Sequence, residues 1–313
     1  MNYVASHWSF HPFLILALIL AVWHEIGLAR LARRSGPRDA RRRRMRSLFF
    51  YCGLAVMLVA VQSPIEYWSE KYFFVHMVQH LLLMFAAPTL VVAGAPWQPL
   101  RAALDGWLPA PGTGPSYWAA ISRPVRAAAA VLLRPWVSVA VFSIVMVAWH
   151  LPPLLDLEVR NAAVRVWLMQ STFFLAGVLF WLQFIPSPPF QRRMPLVSQA
   201  AALVLTNVVM WMLAMAMSIF STASWYSVYN HLPGITLPPY ADQEIGAAIL
   251  WVCGDFWAIP SLIYILRCLI TEDGSVAAAV EQMLHRGSAS RGTWATGRNP
   301  IGSNPPLPPS TEP

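Results

Sequence analysis

Seven long apolar segments occupy most of the first 270 residues and constrain the fold more than any other feature of this chain. A helix needs about 20 mostly apolar residues to cross a bilayer. The segments lack the alternation of apolar and polar residues that is typical of a membrane barrel strand. We therefore predict an all-α polytopic membrane protein with seven transmembrane helices. The segments lie near Pro12 to Ala29, Leu48 to Gln62, Tyr72 to Ala93, Trp136 to Leu151, Val164 to Ile185, Ser198 to Phe220 and Glu244 to Leu269.

The composition excludes a soluble enzyme of this length and a disordered chain. Only 12% of the residues are charged and 57% are hydrophobic, whereas soluble domains carry about 25% charged residues. The cysteines Cys52, Cys253 and Cys268 are odd in number and form no C-x-x-C pair. Neither a disulfide framework nor a thiol redox motif is therefore predicted.

The arginines predict the orientation in the membrane. Nine arginines fall between Arg30 and Arg46, in the loop between the first and second segments. The loops after the third and fifth segments and the C-terminal tail are also rich in arginine, and they alternate with loops that carry few basic residues. Because cytoplasmic loops carry the excess of positive charge, we expect the N-terminus outside and the C-terminus in the cytoplasm. Such a distribution does not favour nucleic-acid binding.

Two segments outside the predicted spans have a distinct composition. Val125 to Arg134 is predicted to form a short helix on the membrane surface, with its arginines directed toward lipid head groups. From Thr271 onward the chain is rich in Gly, Ser, Pro and Arg. We therefore expect a membrane domain over residues 1–270 and a disordered cytoplasmic tail over residues 271–313.

Three histidines are the first candidates for a functional site, since ionisable residues inside a membrane carry a high insertion cost. His76 and His80 are four residues apart at the start of the third span and project from one helix face. His150 closes the fourth span, before Pro152 and Pro153. With the predicted orientation, all three lie in the outer half of the membrane.

Thioethers and polar groups are predicted at the same depth. The sixth span runs outward through four methionines, and the seventh begins at Asp242 and Gln243. Imidazole and thioether together suit copper, above all its monovalent form, and a carboxylate can orient a ligating histidine. Other interpretations stay open at this stage. The histidine pair can hydrogen-bond between helices, methionines can fill gaps in the packing, and Asp242 can cap the seventh helix. The methionines are Met210, Met212, Met215 and Met217.

Several sequence pieces resemble the multi-span CtaG family of cytochrome c oxidase assembly proteins. The H-x-x-Q-H and D-Q-x-x-G pieces, at His76 to His80 and Asp242 to Gly246, are the most specific. The resemblance covers roughly residues 12–270. The further pieces are Ser63-Pro64, Leu81 to Met84, Ala87-Pro88, Gly94 to Pro96, Trp149 to Pro152, Gly177 to Trp181, Tyr226, Tyr229 and Gly246 to Trp251.

The resemblance implies a bacterial inner-membrane protein that helps to mature a haem–copper oxidase by supplying or holding copper. The expected partners are oxidase subunits, the lipid bilayer and periplasmic copper chaperones, and the protein is not expected to be an enzyme. The candidate ligands are His76, His80 and His150. Further candidate ligands are Met169, Met215, Met217 and Cys253, and the candidate orienting groups are Gln79, Asp242 and Gln243.

Two departures from the family pattern affect the expected metal stoichiometry. Met169-Gln170-Ser171 stands where the resemblance implies another histidine, and Val252 to Asp255 stands where Pro and a second Gly are expected. Two other functions remain open. A transporter of copper or another small solute needs a continuous polar path, and a haem-binding electron carrier needs histidines on facing helices. The inner half offers His24, Glu25 and Asp255 for such a path.

Overall fold

The structure is a computed structural model, and it describes residues 8, 10–33, 36–105, 116–190, 194–230 and 235–272. These residues are mostly helical and contain no strand, apart from an isolated bridge between Ser187 and Phe190. The all-α prediction is confirmed. The predicted disordered tail covers residues 271–313, of which residues 271 and 272 belong to the final helix, and residues 273–313 lie outside the described residues.

Among the described residues, six helices are long and apolar enough to cross a membrane. They occupy the positions predicted for all spans but the fourth. In chain order they are α1 (Pro12–Ala32), α2 (Pro37–Gln62), α4 (Phe73–Gly94), α9 (Ala162–Trp181), α10 (Leu196–Ser218) and α11 (Pro239–Glu272).

The predicted fourth span is α7 (Pro135–Trp149), whose 15 residues are too few to cross a bilayer alone. It follows α6 (Ser116–Leu132), and the two helices are bent by 82° at their junction. Counted together, this pair gives a seventh candidate span. Residues 123–132 of α6 are exposed along their whole length, and the placement of this helix on the membrane surface stays a prediction.

Shorter helices close the ends of the bundle. They are α3 (Pro64–Ser69), α5 (Trp97–Leu104) and α8 (Pro152–Arg160). Two of the long helices contain a π-helical stretch, a feature that is frequent at functional sites. In α4 it covers Leu82–Ala86, and in α9 it covers Arg165–Gln170.

Helices α4 and α9 approach closely because Gly177 carries no side chain. A Cβ atom at Gly177 would lie 2.4 Å from the carbonyl oxygen of Met84 and 2.7 Å from Pro88. Small residues at such crossings are typical of membrane helix pairs. The contact places α9 directly against the turn of α4 that follows His80.

The bundle has two chemically different ends. We call the end with His76, His80 and His150 the histidine end, and the opposite end, with the arginines from Arg30 to Arg46, the basic end. The 22 residues of α4 separate these ends by about 33 Å at 1.5 Å per residue.

Between the two ends lies an aromatic layer, formed by Phe85, Phe142, Phe180 and Trp181. All four side chains are at most 5% exposed. The rings of Phe142 and Phe180 are stacked with centroids 4.2 Å apart, and Phe85 meets Phe142 edge-on at 5.4 Å. The layer belongs to a compact unit that ends at Ile265, and a second unit begins at Leu266. The predicted domain boundary near residue 270 stays a prediction.

Candidate metal site at the histidine end

The helix that carries the histidine pair is held at its first turn by Asp242. The Asp242 carboxylate accepts hydrogen bonds from the backbone N–H groups of Phe73 at 2.7 Å and Phe74 at 2.9 Å. The first N–H groups of a helix have no partner within the helix, and a carboxylate there is also favoured by the helix dipole. Asp242 therefore caps α4 from another helix, an arrangement that the sequence analysis did not foresee.

The structure brings the three predicted histidines together. The ring centroids of His76 and His80 are 4.0 Å apart, and those of His80 and His150 are 5.3 Å apart. All three side chains are at most 5% exposed. His80 also packs on Phe173, with ring centroids 4.2 Å apart. The i, i+4 spacing and the end of α7 thus converge on one buried cluster.

The hydrogen bonding of His150 fixes which of its nitrogens carries the proton. Nδ1 lies 2.6 Å from the carbonyl oxygen of Met146, one turn earlier in α7. Because a carbonyl only accepts, Nδ1 is the donor, and the neutral ring then leaves Nε2 with a free lone pair. This Nε2 lies 3.3 Å from Sδ of Met77. A histidine oriented in this way resembles those that ligate metals.

A small cavity of about 10 Å³ lies between α4 and α7. His80 and His150 line it together with three methionines, and this volume holds about one ion or one water molecule. Neutral imidazoles and thioethers are the ligands that monovalent copper prefers. The methionines are Met77, Met84 and Met146.

The ring nitrogens of the histidine pair are buried and unbonded. Both nitrogens of His76 and both of His80 have no hydrogen-bond partner among the described residues, and of the two rings only His80 lines the cavity. Within the described part of the chain, no group of three or more His, Cys, Asp and Glu side chains is arranged to hold a metal ion. A copper site here would therefore draw on thioethers as well as imidazoles.

On its other side, the cluster meets a buried carboxyl group. Glu158 Oε1 of α8 lies 3.6 Å from His76 Nε2, and neither side chain is more than 1% exposed. Burial raises the pKa of the Glu158 carboxyl to about 8, although the positive charge of Arg165 opposes that rise. At neutral pH this carboxyl is therefore mostly uncharged.

A buried ion pair lies beside the histidines. Arg165 donates from Nε to Glu66 Oε1 at 2.9 Å and also pairs with Glu70. The side chains of Arg165 and Glu66 are 9% and 8% exposed. The pair connects α3 to the first turns of α9 and fixes how these elements enclose the histidine end.

Two glutamines complete this ion-pair network. Gln79 donates to Glu66 Oε2 at 2.5 Å and to the carbonyl of Ala60 at 2.9 Å, and Gln170 donates to the same Glu66 oxygen at 2.8 Å. Gln79 was predicted to orient the metal site, but its amide nitrogen binds Glu66 instead because α3 lies against that face of α4. Gln170, which lies where the family resemblance implies a histidine, likewise donates to the Glu66 carboxylate.

A loop between α10 and α11 covers the cluster. Tyr226 donates to the carbonyl of His150 at 3.0 Å and lies 3.3 Å from Sδ of Met217. Gln243 accepts from the N–H of Trp225 and donates to the carbonyl of Met217, each at 2.7 Å. Met217 therefore contacts the loop, and Gln243 holds that loop rather than a histidine.

The remaining predicted ligands do not line the cavity. Met169 is fully buried within α9, and Met215 is half-buried. Cys253 is a half-buried free thiol beside Gly254, which approaches Met210 of α10.

Sequence reasoning missed several residues of this end. The five most important are Met77, Met84, Met146, Glu158 and Arg165. Glu158 and Arg165 could have been found from sequence, because both are ionisable residues at the ends of apolar segments. The methionines were indistinguishable from packing residues.

Comparison with known proteins gives two kinds of match, to individual relatives and to a family. Matching curated proteins include uncharacterized protein ML1998 of Mycobacterium leprae, 25% identical over 278 residues that cover 83% of this chain and 39% of the relative. Uncharacterized protein Mb0105 of Mycobacterium bovis is 25% identical over 293 residues, which cover 88% of this chain and 41% of the relative. The chain thus spans about two fifths of the length of these relatives. No solved structure matches it significantly.

The profile of the cytochrome c oxidase caa3 assembly factor family (Caa3_CtaG) matches residues 22–272. This range includes all three histidines, the cavity and the ion-pair network. Because the match extends over most of the chain, the protein belongs to the cytochrome c oxidase caa3 assembly factor family.

Proposed function

We propose that this protein assists the assembly of a haem–copper oxidase by holding monovalent copper in the cavity at the histidine end. His80 and His150 would supply imidazole nitrogens, and Met77 would supply a thioether. Copper is cargo in this proposal and is passed to an oxidase subunit, so the protein acts without catalysing a reaction. The observation that carries the proposal is the cavity itself, which two histidines and three methionines line.

The proposal places the histidine end on the outer side of the bacterial inner membrane. Its support is the arginine distribution, because nine arginines lie at the opposite end. Periplasmic copper chaperones could then reach the cavity from outside. Glu158 and His76 would lie between the loop regions and the cavity, where a weakly charged carboxyl can exchange protons with an imidazole.

A transporter is less well supported because the aromatic layer separates the two ends. A solute path would need polar groups through the middle of the bundle. The carboxylate of Asp255 is engaged there, since it accepts hydrogen bonds from Asn207 at 2.8 Å and Trp211 at 3.1 Å. At the other end His24 and Glu25 both contact the hydroxyl of Tyr51.

A haem carrier is also less well supported, on grounds of size. A cavity of about 10 Å³ between His80 and His150 holds an ion and leaves no space for a porphyrin. Absorbance of the purified protein near the Soret band tests this alternative directly.

The proposal is tested by measuring copper binding to the purified full-length protein under reducing conditions. A competing chromophoric chelator gives the affinity, and X-ray absorption reports nitrogen and sulfur ligands. We expect His80→Gln and His150→Gln to weaken copper binding by at least about tenfold, because an amide replaces imidazole poorly as a copper ligand.

His24→Gln is the matched control, since His24 is an equally buried histidine at the basic end. It should leave copper affinity unchanged. If His80→Gln and His150→Gln bind copper as the unaltered protein does, the site is not at the histidine end. Oxidase activity at limiting copper, measured in cells with each variant, tests the role in assembly separately.

A further inference from the structure

A large cavity lies at the basic end, between α1 and the first turns of α2. Its volume is about 870 Å³, which is within the range of sites that bind small molecules. Arg41, Arg43 and Arg44 lie along it. The copper proposal makes no use of this cavity. We propose that it binds the phosphate group of an anionic phospholipid, whose acyl chains follow the apolar walls of the two helices.

The walls of the cavity match both parts of such a lipid. Leu28 and Ala29 of α1 face Leu48 of α2, and the three arginines lie one to two turns before Leu48. A guanidinium group binds phosphate oxygens through two parallel hydrogen bonds. Basic pockets between membrane helices are known to bind lipid head groups. Apolar surface next to arginine distinguishes this cavity from a site for a soluble anion.

The length of α2 places the arginines at the depth of lipid phosphates. The helix is continuous over Pro37–Gln62, but its apolar part begins only at Leu48 and spans about 22 Å at 1.5 Å per residue. A hydrophobic stretch shorter than the hydrocarbon core draws the surrounding lipid inward and positions flanking arginines in the head-group region.

The charges around the cavity favour an anion. Three arginines and one glutamate line it, so its net charge is positive. The Glu25 carboxylate is already engaged, since it accepts a hydrogen bond from Tyr51 at 2.5 Å. Arg43 donates to the carbonyl of Leu31 at 3.4 Å, which ties the end of α1 to α2. Arg41 and Arg44 are both exposed toward the cavity region.

The test compares two double variants of the full-length protein that remove the same charge. Arg41→Gln/Arg44→Gln removes two arginines that line the cavity. Arg38→Gln/Arg42→Gln removes two exposed arginines of the same helix that do not line it. Retention of phosphatidylglycerol or phosphatidylcholine, added to delipidated protein in neutral detergent, is counted by native mass spectrometry.

We expect the unaltered protein to retain phosphatidylglycerol in preference to phosphatidylcholine. Each arginine near the phosphate contributes about fivefold to the affinity for phosphatidylglycerol. Arg41→Gln/Arg44→Gln should therefore lower this affinity by about 25-fold. The control pair should change it by less than about fivefold. Millimolar inorganic phosphate should not displace the lipid. Ala32→Trp, which narrows the cavity without changing charge, should also reduce retention.

Three outcomes would overturn the proposal. Equal loss in the two double variants would mean that the arginines attract lipid diffusely and form no site. Equal retention of phosphatidylcholine would remove the requirement for an anionic head group. Displacement by inorganic phosphate would assign the cavity to a soluble anion. None of these results bears on copper binding, so the two proposals can fail independently.

Discussion

His150 Nε2 and Met77 Sδ lie 3.3 Å apart across the interface between α7 and α4. The proton of His150 is on Nδ1, which donates a hydrogen bond to the carbonyl of Met146. The nitrogen that faces the thioether therefore carries a lone pair. A nitrogen lone pair and a thioether sulfur from different helices thus face each other with no hydrogen atom between them. Both atoms can ligate monovalent copper, whereas the contact forms no hydrogen bond that would stabilise the packing.

Met77→Leu is the most selective test of this arrangement. Leucine conserves the volume, so the free energy of unfolding should fall by less than about 1.5 kcal/mol. Copper affinity should fall about tenfold, which corresponds to about 1.4 kcal/mol. Met210→Leu is the control, because Met210 is as buried but does not line the cavity. Equal copper affinity in both variants would show that Met77 only packs.

Arg165→Met should be among the most destabilising substitutions at the histidine end. It leaves the Glu66 carboxylate buried without its cation, at a cost of about 3 to 5 kcal/mol. Arg160→Met should cost at most about 1 kcal/mol, since Arg160 is 64% exposed in its pair with Asp156. Denaturant unfolding in detergent measures both.

The double variant Glu66→Gln/Arg165→Met provides the check on mechanism. Removing both charges together should recover part of the stability that Arg165→Met loses. If the double variant is less stable than Arg165→Met alone, the loss comes from packing around Arg165 and not from an uncompensated charge.

Asp242→Ala should destabilise the start of α4 by about 1 to 2 kcal/mol, because Phe73 and Phe74 lose the acceptor for their N–H groups. Asp242→Asn keeps an acceptor for only one of these N–H groups, because Phe73 and Phe74 donate to different carboxylate oxygens, and it should recover only part of the loss. Hydrogen exchange at the first turn of α4 should rise in the alanine variant. A change confined to α11 would mean that Asp242 serves its own helix.

Gly177→Ala should lower stability by about 1 to 3 kcal/mol through overpacking, despite the higher helix propensity of alanine. The added Cβ would meet the Met84 carbonyl at 2.4 Å, and Met84 lines the cavity, so copper affinity should fall as well. Gly36→Ala is the control, because no atom of the described residues lies within 4 Å of the position of its added Cβ.

The orientation is tested by reporter fusions after Arg46 and after Asp242. The arginine count predicts a cytoplasmic reporter at the first position and an external one at the second. External activity after Arg46 would place the histidine end in the cytoplasm and remove the basis for copper delivery from outside.

The positions of the spans were predictable from sequence because each depends on local composition alone. Apolar length predicted all seven segments, and six of them are helices of span length among the described residues. The fourth, α7, is short and reaches span length only when it is counted with the bent α6. Similarly, the meeting of His76 and His80 follows from helical spacing, which the sequence contains.

The partners of these residues were not predictable because they come from distant parts of the chain. Asp242 was predicted to orient a metal ligand, with capping of its own helix as the alternative, and only the packing of α11 beside α4 shows that it caps α4. Met77 lies next to His76 in sequence, but its role depends on where α7 brings His150. The choice among 13 methionines is likewise decided by helix packing and not by spacing.

The Asp242 cap also has a consequence for the order in which the protein is made. Phe73 and Asp242 are separated by 169 positions, and domains emerge from the ribosome N-terminal end first. At about 5 to 20 residues per second, α4 waits roughly 8 to 34 seconds before its capping residue is synthesised. Until then the first turn of α4, which precedes the histidine pair, lacks the carboxylate that accepts hydrogen bonds from its N–H groups. The histidine end is thus complete only when α11 has been inserted.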